Sequence, residues 1–241
     1  FPMLIVMGTI MAASVANIQG DGFLATLVVL IALIISVLVT LAVSKLLTST
    51  ILRGESSFFI LELPPYRRPQ IGTVLIRSFL DRTLAVLWRA LIVAAPCGLL
   101  IWILANTTLA DSTLLVHLAK WLQPLGRAIG LDGMILLAFL LGLPANEIVI
   151  PIIFMGYLSE GALMEVQGLA TIEHILVANG WTWLTALNFL IFSLFHWPCA
   201  TTLLTIRKET GSLRWTLLSA FLPTALGTCL CLIVTAMASL I

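Results

Sequence analysis

The chain has 241 residues, of which 61% are hydrophobic and 10% are charged, and its formal net charge is +1. Soluble domains carry roughly 25% charged residues, so this composition excludes an ordinary soluble protein and indicates a polytopic membrane protein. A net charge near zero gives no general affinity for nucleic acid. The four cysteines lie inside apolar segments, which is not the loop context of a disulfide framework or a zinc ribbon.

The first 44 residues contain two predicted membrane-spanning segments. The chain opens with Phe1-Pro2-Met3 and no charged flank, which is not a signal-peptide pattern and indicates a piece of a longer chain. The uncharged stretch at 1–20 is just long enough to span, because a crossing helix needs about 20 residues. A turn at 19–22 separates it from the second span at 23–44, which is dense in Leu, Val and Ile.

Residues 45–89 form the main polar interruption, with more basic than acidic residues: Arg53, Arg67, Arg68, Arg77, Arg82 and Arg89 against Glu55, Glu62 and Asp81. This excess of positive charge predicts a cytoplasmic loop. Residues 64–69 are predicted to be extended, because proline disfavours a helical residue before it. From Ile71 the apolar residues recur at helical spacing, which predicts an interfacial helix on the membrane surface. An extension of the next spanning helix is the alternative, and both stay open.

Beyond residue 89 the sequence predicts three spans and one amphipathic segment, at 90–110, 181–206, 215–241 and 114–130. The basic turn at 207–214 is predicted to be cytoplasmic, and the acidic stretch at 159–180, which has no Lys or Arg, is predicted to be outside. The first of these spans then leads outward and the second leads inward, so the segment between them must begin and end outside.

The apolar segment at 133–158 is therefore predicted to be a re-entrant hairpin. Its halves, 133–142 and 148–158, are each too short to cross alone. Charge bias and segment length lead to this arrangement independently. The predicted fold class is an all-α polytopic membrane protein of the inverted-repeat transporter type, with a re-entrant helical hairpin and discontinuous helices.

The predicted tip of this hairpin carries the chain's most informative residues. Glu147 is the only charge between Gly133 and Ser159. Gly142, Pro144 and Pro151 are predicted helix breaks that free backbone carbonyls, since proline cannot donate a backbone hydrogen bond. Non-helical backbone at membrane depth is tolerated only where protein or a water-filled cavity surrounds it, and an ionisable residue there indicates a functional site.

Two side chains at this tip are predicted to line a substrate path. Asn146 supplies an amide oxygen, and Glu147 begins the second half-helix, where the positive end of the helix dipole stabilises a buried anion. A charged carboxylate suits a cation. The alternative is that Glu147 only caps its helix and pairs with an arginine.

A second break is predicted at His196-Trp197-Pro198-Cys199. Pro198 opens the backbone, and Cys199 adds a soft ligand that, with carboxylate and amide oxygens, suits a borderline divalent transition metal. Core packing for Cys199 and a hydrogen-bonded interior histidine for His196 remain the alternatives. Two broken segments are typical of a midplane site in transporters built from inverted repeats, and Phe1-Pro2 and Trp197-Pro198 open weakly similar stretches.

Three motifs resemble the membrane domain of the ferrous-iron transport protein B family: Glu62-Leu63-Pro64-Pro65-Tyr66-Arg67, the stretch from Gly142 to Pro151, and Pro198-Cys199 followed by Ile206-Arg207-Lys208-Glu209-Thr210-Gly211-Ser212. They occur in the family's order over most of the chain. The resemblance implies two gate-type repeats, with residues 1–44 ending the first and residues 90–241 forming the second. It also implies Fe²⁺ as the transported substrate and a multi-pass location in the bacterial plasma (inner) membrane.

The same resemblance implies a cytoplasmic GTP-binding domain, using GTP and Mg²⁺, in the N-terminal part of the full protein. This chain has no Gly-x-x-x-x-Gly-Lys-Ser/Thr phosphate loop and no first gate motif, so it resembles the C-terminal part only. The implied partners are the lipid bilayer, the protein's own GTP-binding domain and first gate repeat, small cytoplasmic accessory proteins and further copies of the protein. Nucleic acid is not among them.

Two other functions remain open from the residues. One is a proton- or sodium-coupled solute carrier in which Glu147 titrates. The other is a non-transport membrane scaffold that uses the arginine-rich surface at 53–89. An enzyme is not expected, because the sequence shows no nucleophile–base pair and no closed metal motif.

Overall fold

The structure is a computed structural model that describes residues 22–50, 72, 76–109, 112–159, 161, 163 and 169–239. These residues are almost entirely helical, and several helices are apolar enough to cross a membrane, so the predicted all-α polytopic membrane class is confirmed. The predicted span at 1–20, the extended segment at 64–69 and most of the arginine-rich loop lie outside the described residues.

The described helices are α1 (Gly22–Thr50), α2 (Ala85–Asn106), α3 (Leu114–Ala128), α4 (Gly133–Leu141), α5 (Val149–Leu158), α6 (Leu169–Ala178), α7 (Trp183–Phe195), α8 (Ala200–Thr210) and α9 (Leu213–Ala238). A π-helical turn at Ser78–Leu84 precedes α2, and a 3₁₀ turn at Asn146–Ile148 precedes α5. Between α2 and α3, β1 (Thr108–Leu109) pairs antiparallel with β2 (Ser112–Thr113).

Four helical stretches in the described part of the chain are long and apolar enough to cross a bilayer: Val29–Thr50, Val86–Asn106, Trp183–Thr210 and Leu213–Ala238. The third of these includes both α7 and α8, so it contains the predicted second break. The helix α1 extends beyond the predicted boundary at residue 44, because residues 45–50 include no glycine or proline to end it.

The described part of the amphipathic segment before α2 is helical. Residues 76–84 lead into α2 without an interruption, through the π-helical turn. They therefore extend the next spanning helix, which is the alternative that the sequence left open. π-Helical turns are rare and usually occur as single turns within α-helices, as this one does.

A short helix, α6, lies within the stretch predicted as an outside loop. Its apolar side chains at Ile172 and Leu176 are one turn apart, and Leu176 is buried. The helix ends at Asn179 and Gly180, where Gly180 adopts a φ of +86° that glycine accepts without strain. The sequence prediction for this stretch depended on its acidic composition and did not include the helix.

The helices α3 and α4 form a bent pair at an angle of 109°. The two helices are in close contact at Gly133, where a Cβ atom would overlap the Ala119 carbonyl oxygen. The Gln123 side-chain oxygen accepts a hydrogen bond from the Gly133 N–H at 2.8 Å, which satisfies one of the free N–H groups at the start of α4.

The centre of the core lies between the α4–α5 pair and α7. The largest fully buried side chains include Phe139 of α4, Phe154 of α5 and Phe189 of α7. The rings of Phe139 and Phe189 have centroids 5.3 Å apart, within the range of favourable aromatic pairs. The predicted hairpin is therefore packed against the helix that leads to the second break.

Candidate functional site

The helices α4 and α5 form the two legs of a hairpin. Near its base, a Cβ atom on Gly156 would overlap the Met134 side chain. Near its tip, a Cβ atom on Gly142 would lie 2.6 Å from a methyl group of Val149. Because the first residues of one leg contact the last residues of the other, the legs run side by side in opposite directions.

A hydrogen-bonded chain of three side chains fixes the base of this hairpin. Asp132 caps α4 by accepting from the Ile135 N–H at 2.6 Å, and its other oxygen accepts from the Tyr157 hydroxyl at the end of α5. The Trp181 indole N–H donates to the same hydroxyl at 2.9 Å. We call these three residues, Asp132, Tyr157 and Trp181, the base clamp. It joins both legs of the hairpin to the segment that begins α7.

The tip lies between α4 and α5. The helix α4 ends at Gly142, whose N–H donates to the Ala138 carbonyl at 2.8 Å, and Pro144 follows in the turn. Ala145 is extended, with φ −152° and ψ 119°, so the helix is interrupted here as the sequence predicts. Asn146 and Glu147 form the short 3₁₀ turn that leads into α5.

Glu147 is exposed on the surface of the described chain, and Asn146 is half-buried. The sequence predicted a buried carboxylate, but in the described part of the chain the Glu147 side chain is exposed, whereas Leu143 and Pro144 of the same tip are half-buried. In the described part of the chain no arginine or lysine forms an ion pair with Glu147, and the backbone beside it is broken. These residues therefore do not show the alternative in which Glu147 pairs with an arginine.

Pro151 lies within the first turn of α5, whereas the sequence predicted that it interrupts a helix. The first four N–H groups of a helix have no intrahelical acceptor, so a proline is tolerated there. It changes the hydrogen bonding of the backbone one turn earlier. Because Pro151 has no N–H, the Glu147 carbonyl lacks the donor that an α-helix would supply four residues later.

The second break separates α7 from α8. The helix α7 ends at His196, which is extended, and α8 begins after Cys199, which is also extended, so Pro198 lies in a gap of irregular backbone. Glycine is absent from this gap, and the proline ring alone accounts for the interruption.

A backbone hydrogen bond joins the two breaks. The Ala200 N–H, at the start of α8, donates to the Leu143 carbonyl at the tip of the hairpin, at 2.8 Å. The acceptor lies in the turn after α4, and the donor is one of the free N–H groups at the start of α8. The two interruptions predicted from separate parts of the sequence therefore lie next to each other. Cys199 precedes the donor residue in the chain, and Pro144 follows the acceptor residue.

His196 and Cys199 differ in their surroundings. The His196 Nδ1 lies 2.8 Å from the Ser193 carbonyl and so carries the proton, while Nε2 is buried without a partner among the described residues. The His196 ring also lies 4.9 Å from the Phe139 ring. The Cys199 sulfur is half-buried and lies 3.1 Å from each of the hydroxyl oxygens of Thr201 and Thr202.

Among the described residues, no three His, Cys, Asp or Glu side chains lie close enough together to enclose a metal ion. The sequence therefore identified residues near the two breaks, but these residues do not form a closed cage. The hairpin tip carries oxygen groups, and the second break carries a sulfur and a nitrogen.

Sequence reasoning missed the base clamp. Tyr157 follows Asp132 by 25 residues and Trp181 follows Tyr157 by 24, so no local pattern links them. One signal was available for Asp132, since an aspartate directly before an apolar run of helical length is typical of an N-cap. The partners of its second oxygen depend on the tertiary fold.

Two family models match the chain. The C terminus of ferrous iron transport protein B matches residues 29–81, and the Gate family, described as nucleoside recognition, matches residues 87–213. The second match includes the hairpin, the base clamp and both breaks. No solved structure matches the chain significantly.

Several bacterial relatives are similar to the chain. An Fe(2+) transporter FeoB of Staphylococcus aureus (strain MSSA476) is 31% identical over 208 residues, which are 82% of this chain and 29% of the relative. A protein of the same name from Leptospira biflexa is 24% identical over 196 residues, 75% of this chain and 28% of the relative. The chain therefore spans less than a third of the length of these relatives.

Proposed function

Because the chain belongs to the ferrous iron transport protein B family, whose membrane part it carries, we propose that it forms part of a permease for Fe²⁺ in the bacterial plasma membrane. The relatives are named as Fe(2+) transporters, and this chain is a multi-pass membrane protein. The observation that carries the proposal is the hydrogen bond from Ala200 to Leu143, which brings two interrupted membrane segments together.

The hairpin tip is the proposed point at which the ion loses part of its water shell. Asn146 offers an amide oxygen, Glu147 a carboxylate, and the Glu147 carbonyl lacks its helical donor. Oxygen groups of this kind replace water around a divalent cation, and the exposed carboxylate also attracts it. Exposure of Glu147 on this chain fits an entrance that water can reach.

The second break supplies the softer ligands. Cys199 presents a sulfur beside two threonine hydroxyls. The buried His196 Nε2 accepts but does not donate, and among the described residues it has no hydrogen-bond partner. Sulfur and imidazole favour a borderline metal such as Fe²⁺ over Mg²⁺, which prefers oxygen and water. The pair would thus favour Fe²⁺ after the tip has admitted a cation.

Ligands divided between two adjacent breaks suit a transported ion. Conduction requires that an ion bind well enough to enter and weakly enough to leave. A set of ligands spread over two adjacent breaks, with Glu147 and Asn146 on one and Cys199 and His196 on the other, meets that requirement.

The remaining parts of the proposal concern the longer protein. The arginine-rich loop and the turn at 207–214 would face the cytoplasm, and the hairpin would enter the membrane from outside. GTP and Mg²⁺ would act in a separate cytoplasmic domain, with the first gate repeat, accessory proteins and further copies as partners. Transport rather than catalysis is the role proposed for the residues of this chain.

The test is uptake of radioactive Fe²⁺ by cells that depend on the full-length protein for iron. Glu147→Gln keeps the size of the side chain but removes its charge. We expect uptake to fall by about tenfold or more, because loss even of groups that only support a metal ligand costs about 10–100-fold. Glu173→Gln on α6 is the matched control and should leave uptake unchanged. Normal uptake by Glu147→Gln at normal expression would rule out the proposed path.

A further inference from the structure

A second feature of the described chain is an elongated cavity of about 780 Å³ that is partly open to the outside. It lies between α1 and α9, away from the hairpin tip. Thr40, Val43 and Leu47 line it from α1, and Leu218, Leu222 and Leu226 line it from α9. Its size falls within the range of about 300–1,000 Å³ that is typical of ligand pockets.

The wall of this cavity has almost no free polar groups. The three hydroxyl groups that line it all donate to backbone carbonyls of their own helices: Thr40 to Ser36, Thr210 to Ile206 and Ser219 to Thr216, at 2.7–2.8 Å. A polar solute would therefore find few partners inside, and the wall favours a hydrocarbon occupant.

The cavity follows α9 over about three helical turns. Its lining on α9 extends from Trp215 to Leu226, which corresponds to about 16 Å at the helical rise of about 1.5 Å per residue. Trp215 marks the membrane–water boundary at one end, where tryptophan is enriched. Phe195, at the end of α7, lines the other end, where it lies beside Gly227 of α9. This arrangement matches an acyl chain that enters from the membrane surface.

Two arginines lie at the Trp215 end. Arg207 precedes Thr210 by three residues on α8, and Arg214 precedes Leu218 by four residues on α9, so each shares a helix face with a residue that lines the cavity. Both side chains are exposed, and within the described residues neither forms an ion pair. Lys208 adds a third positive charge to this turn, and Glu209 is its only acidic residue.

From the apolar channel and its positive rim we infer that this cavity binds an anionic phospholipid of the cytoplasmic leaflet. One acyl chain lies between α1 and α9, and the phosphate lies near Arg207 and Arg214. The occupant is a lipid rather than a peptide because the span faces the bilayer and the rim complements the negative charge of the headgroup. The lining includes none of the four residues proposed to bind the ion, so lipid binding and transport are tested by different variants.

The experiment measures lipid retained by the full-length protein after purification from vesicles of phosphatidylglycerol and phosphatidylcholine in equal amounts. Native mass spectrometry counts the lipids bound per protein. We expect enrichment of phosphatidylglycerol, and we expect Arg207→Gln with Arg214→Gln to weaken it by roughly 25-fold, at about fivefold for each arginine near the surface. The control Arg127→Gln, an exposed arginine of α3, should not change it.

A second pair of variants tests the channel itself. Leu222→Trp fills the cavity and should displace the lipid, whereas Leu232→Trp, at an exposed position of α9 outside the cavity, should retain it. A photoreactive residue in place of Leu222 gives a readout that does not depend on affinity. Cross-linking to lipid supports the inference.

Three results would overturn it. The first is equal retention of both lipids by the unaltered protein. The second is unchanged retention by Leu222→Trp. The third is cross-linking from position 222 to another segment of the protein or to a second copy, because either would show that protein occupies the cavity.

Discussion

Replacing Ala200 by proline tests whether the hydrogen bond between the two breaks holds the site together. Ala200 is the first residue of α8, where proline fits a helix, and Cys199 before it has φ −60° and ψ 156°, which a following proline allows. The substitution therefore removes the N–H that donates to the Leu143 carbonyl without breaking the helix.

The expected cost follows from this one bond. A typical hydrogen bond contributes about 0.5–1.5 kcal/mol net, and a buried acceptor left without a donor costs about 1–3 kcal/mol. The proline ring would also occupy the space of the 2.8 Å contact and push the hairpin tip away. We expect a loss of about 1–3 kcal/mol at this contact, with a lower melting temperature of the purified full-length protein and reduced Fe²⁺ uptake.

A matched control is available at the start of α9. Leu213 is also the first residue of its helix, it is exposed, and in the described part of the chain its N–H has no acceptor outside the helix. Leu213→Pro should therefore change melting and uptake little. If Ala200→Pro and Leu213→Pro behave alike in both measurements, the bond between the breaks does not hold the site together.

Three further predictions concern the hairpin and its ligands. Tyr157→Phe removes the hydroxyl that joins the base clamp, so the Asp132 oxygen loses its donor. We expect the free energy of unfolding of the full-length protein to fall by about 1–3 kcal/mol, which lowers its melting temperature. Gly156→Ala places a methyl group against Met134. This overpacking should lower the free energy of unfolding by about 1–3 kcal/mol and with it the melting temperature, and Met134→Ala should relieve the loss. Cys199→Ser should lower Fe²⁺ uptake with little change in melting, because a hydroxyl replaces a softer sulfur ligand.

The chain offers controls for these variants. Gly98→Ala adds the same methyl group in open space on α2 and should not lower the melting temperature, since alanine is the better helix former. Cys229→Ser changes an exposed cysteine of α9 and should not affect uptake. A Tyr157→Phe protein that melts like the unaltered one would show that the base clamp contributes nothing, and equal uptake by both cysteine variants would remove Cys199 from the path.

The membrane class and the spans were predictable because they depend on local properties. A run such as 23–44 is apolar in every turn, and no tertiary contact is needed to recognise it. The interruption at Gly142–Pro144 was predictable for a similar reason, since a helix that reaches Gly-x-Pro rarely continues.

The relation between the two breaks was not predictable from the residues alone. Leu143 and Ala200 are far apart in the chain, and their hydrogen bond joins two backbone groups, so no side-chain pattern records it. The base clamp is hidden for the same reason. Sequence reasoning also placed Glu147 in a buried position, because it followed the apolar flanks and had no information on how far the legs of the hairpin are covered.

Pro151 and α6 illustrate two further limits. A proline three residues into a helix and a proline that ends one look alike until the helix start is known, and that start depends on the 3₁₀ turn at Asn146–Ile148. In the stretch at 159–180, the acidic composition predicted only a location outside the membrane. The helical spacing of Ile172 and Leu176 is too short a pattern to stand out among the acidic residues.

The most direct test of the central claim is X-ray absorption at the iron edge of the full-length protein loaded with Fe²⁺. The proposed path predicts a sulfur neighbour of the iron that disappears in Cys199→Ser, and fewer oxygen or nitrogen neighbours in Glu147→Gln. Identical spectra from the unaltered protein and both variants would contradict a path in which the two interrupted segments bind the same ion.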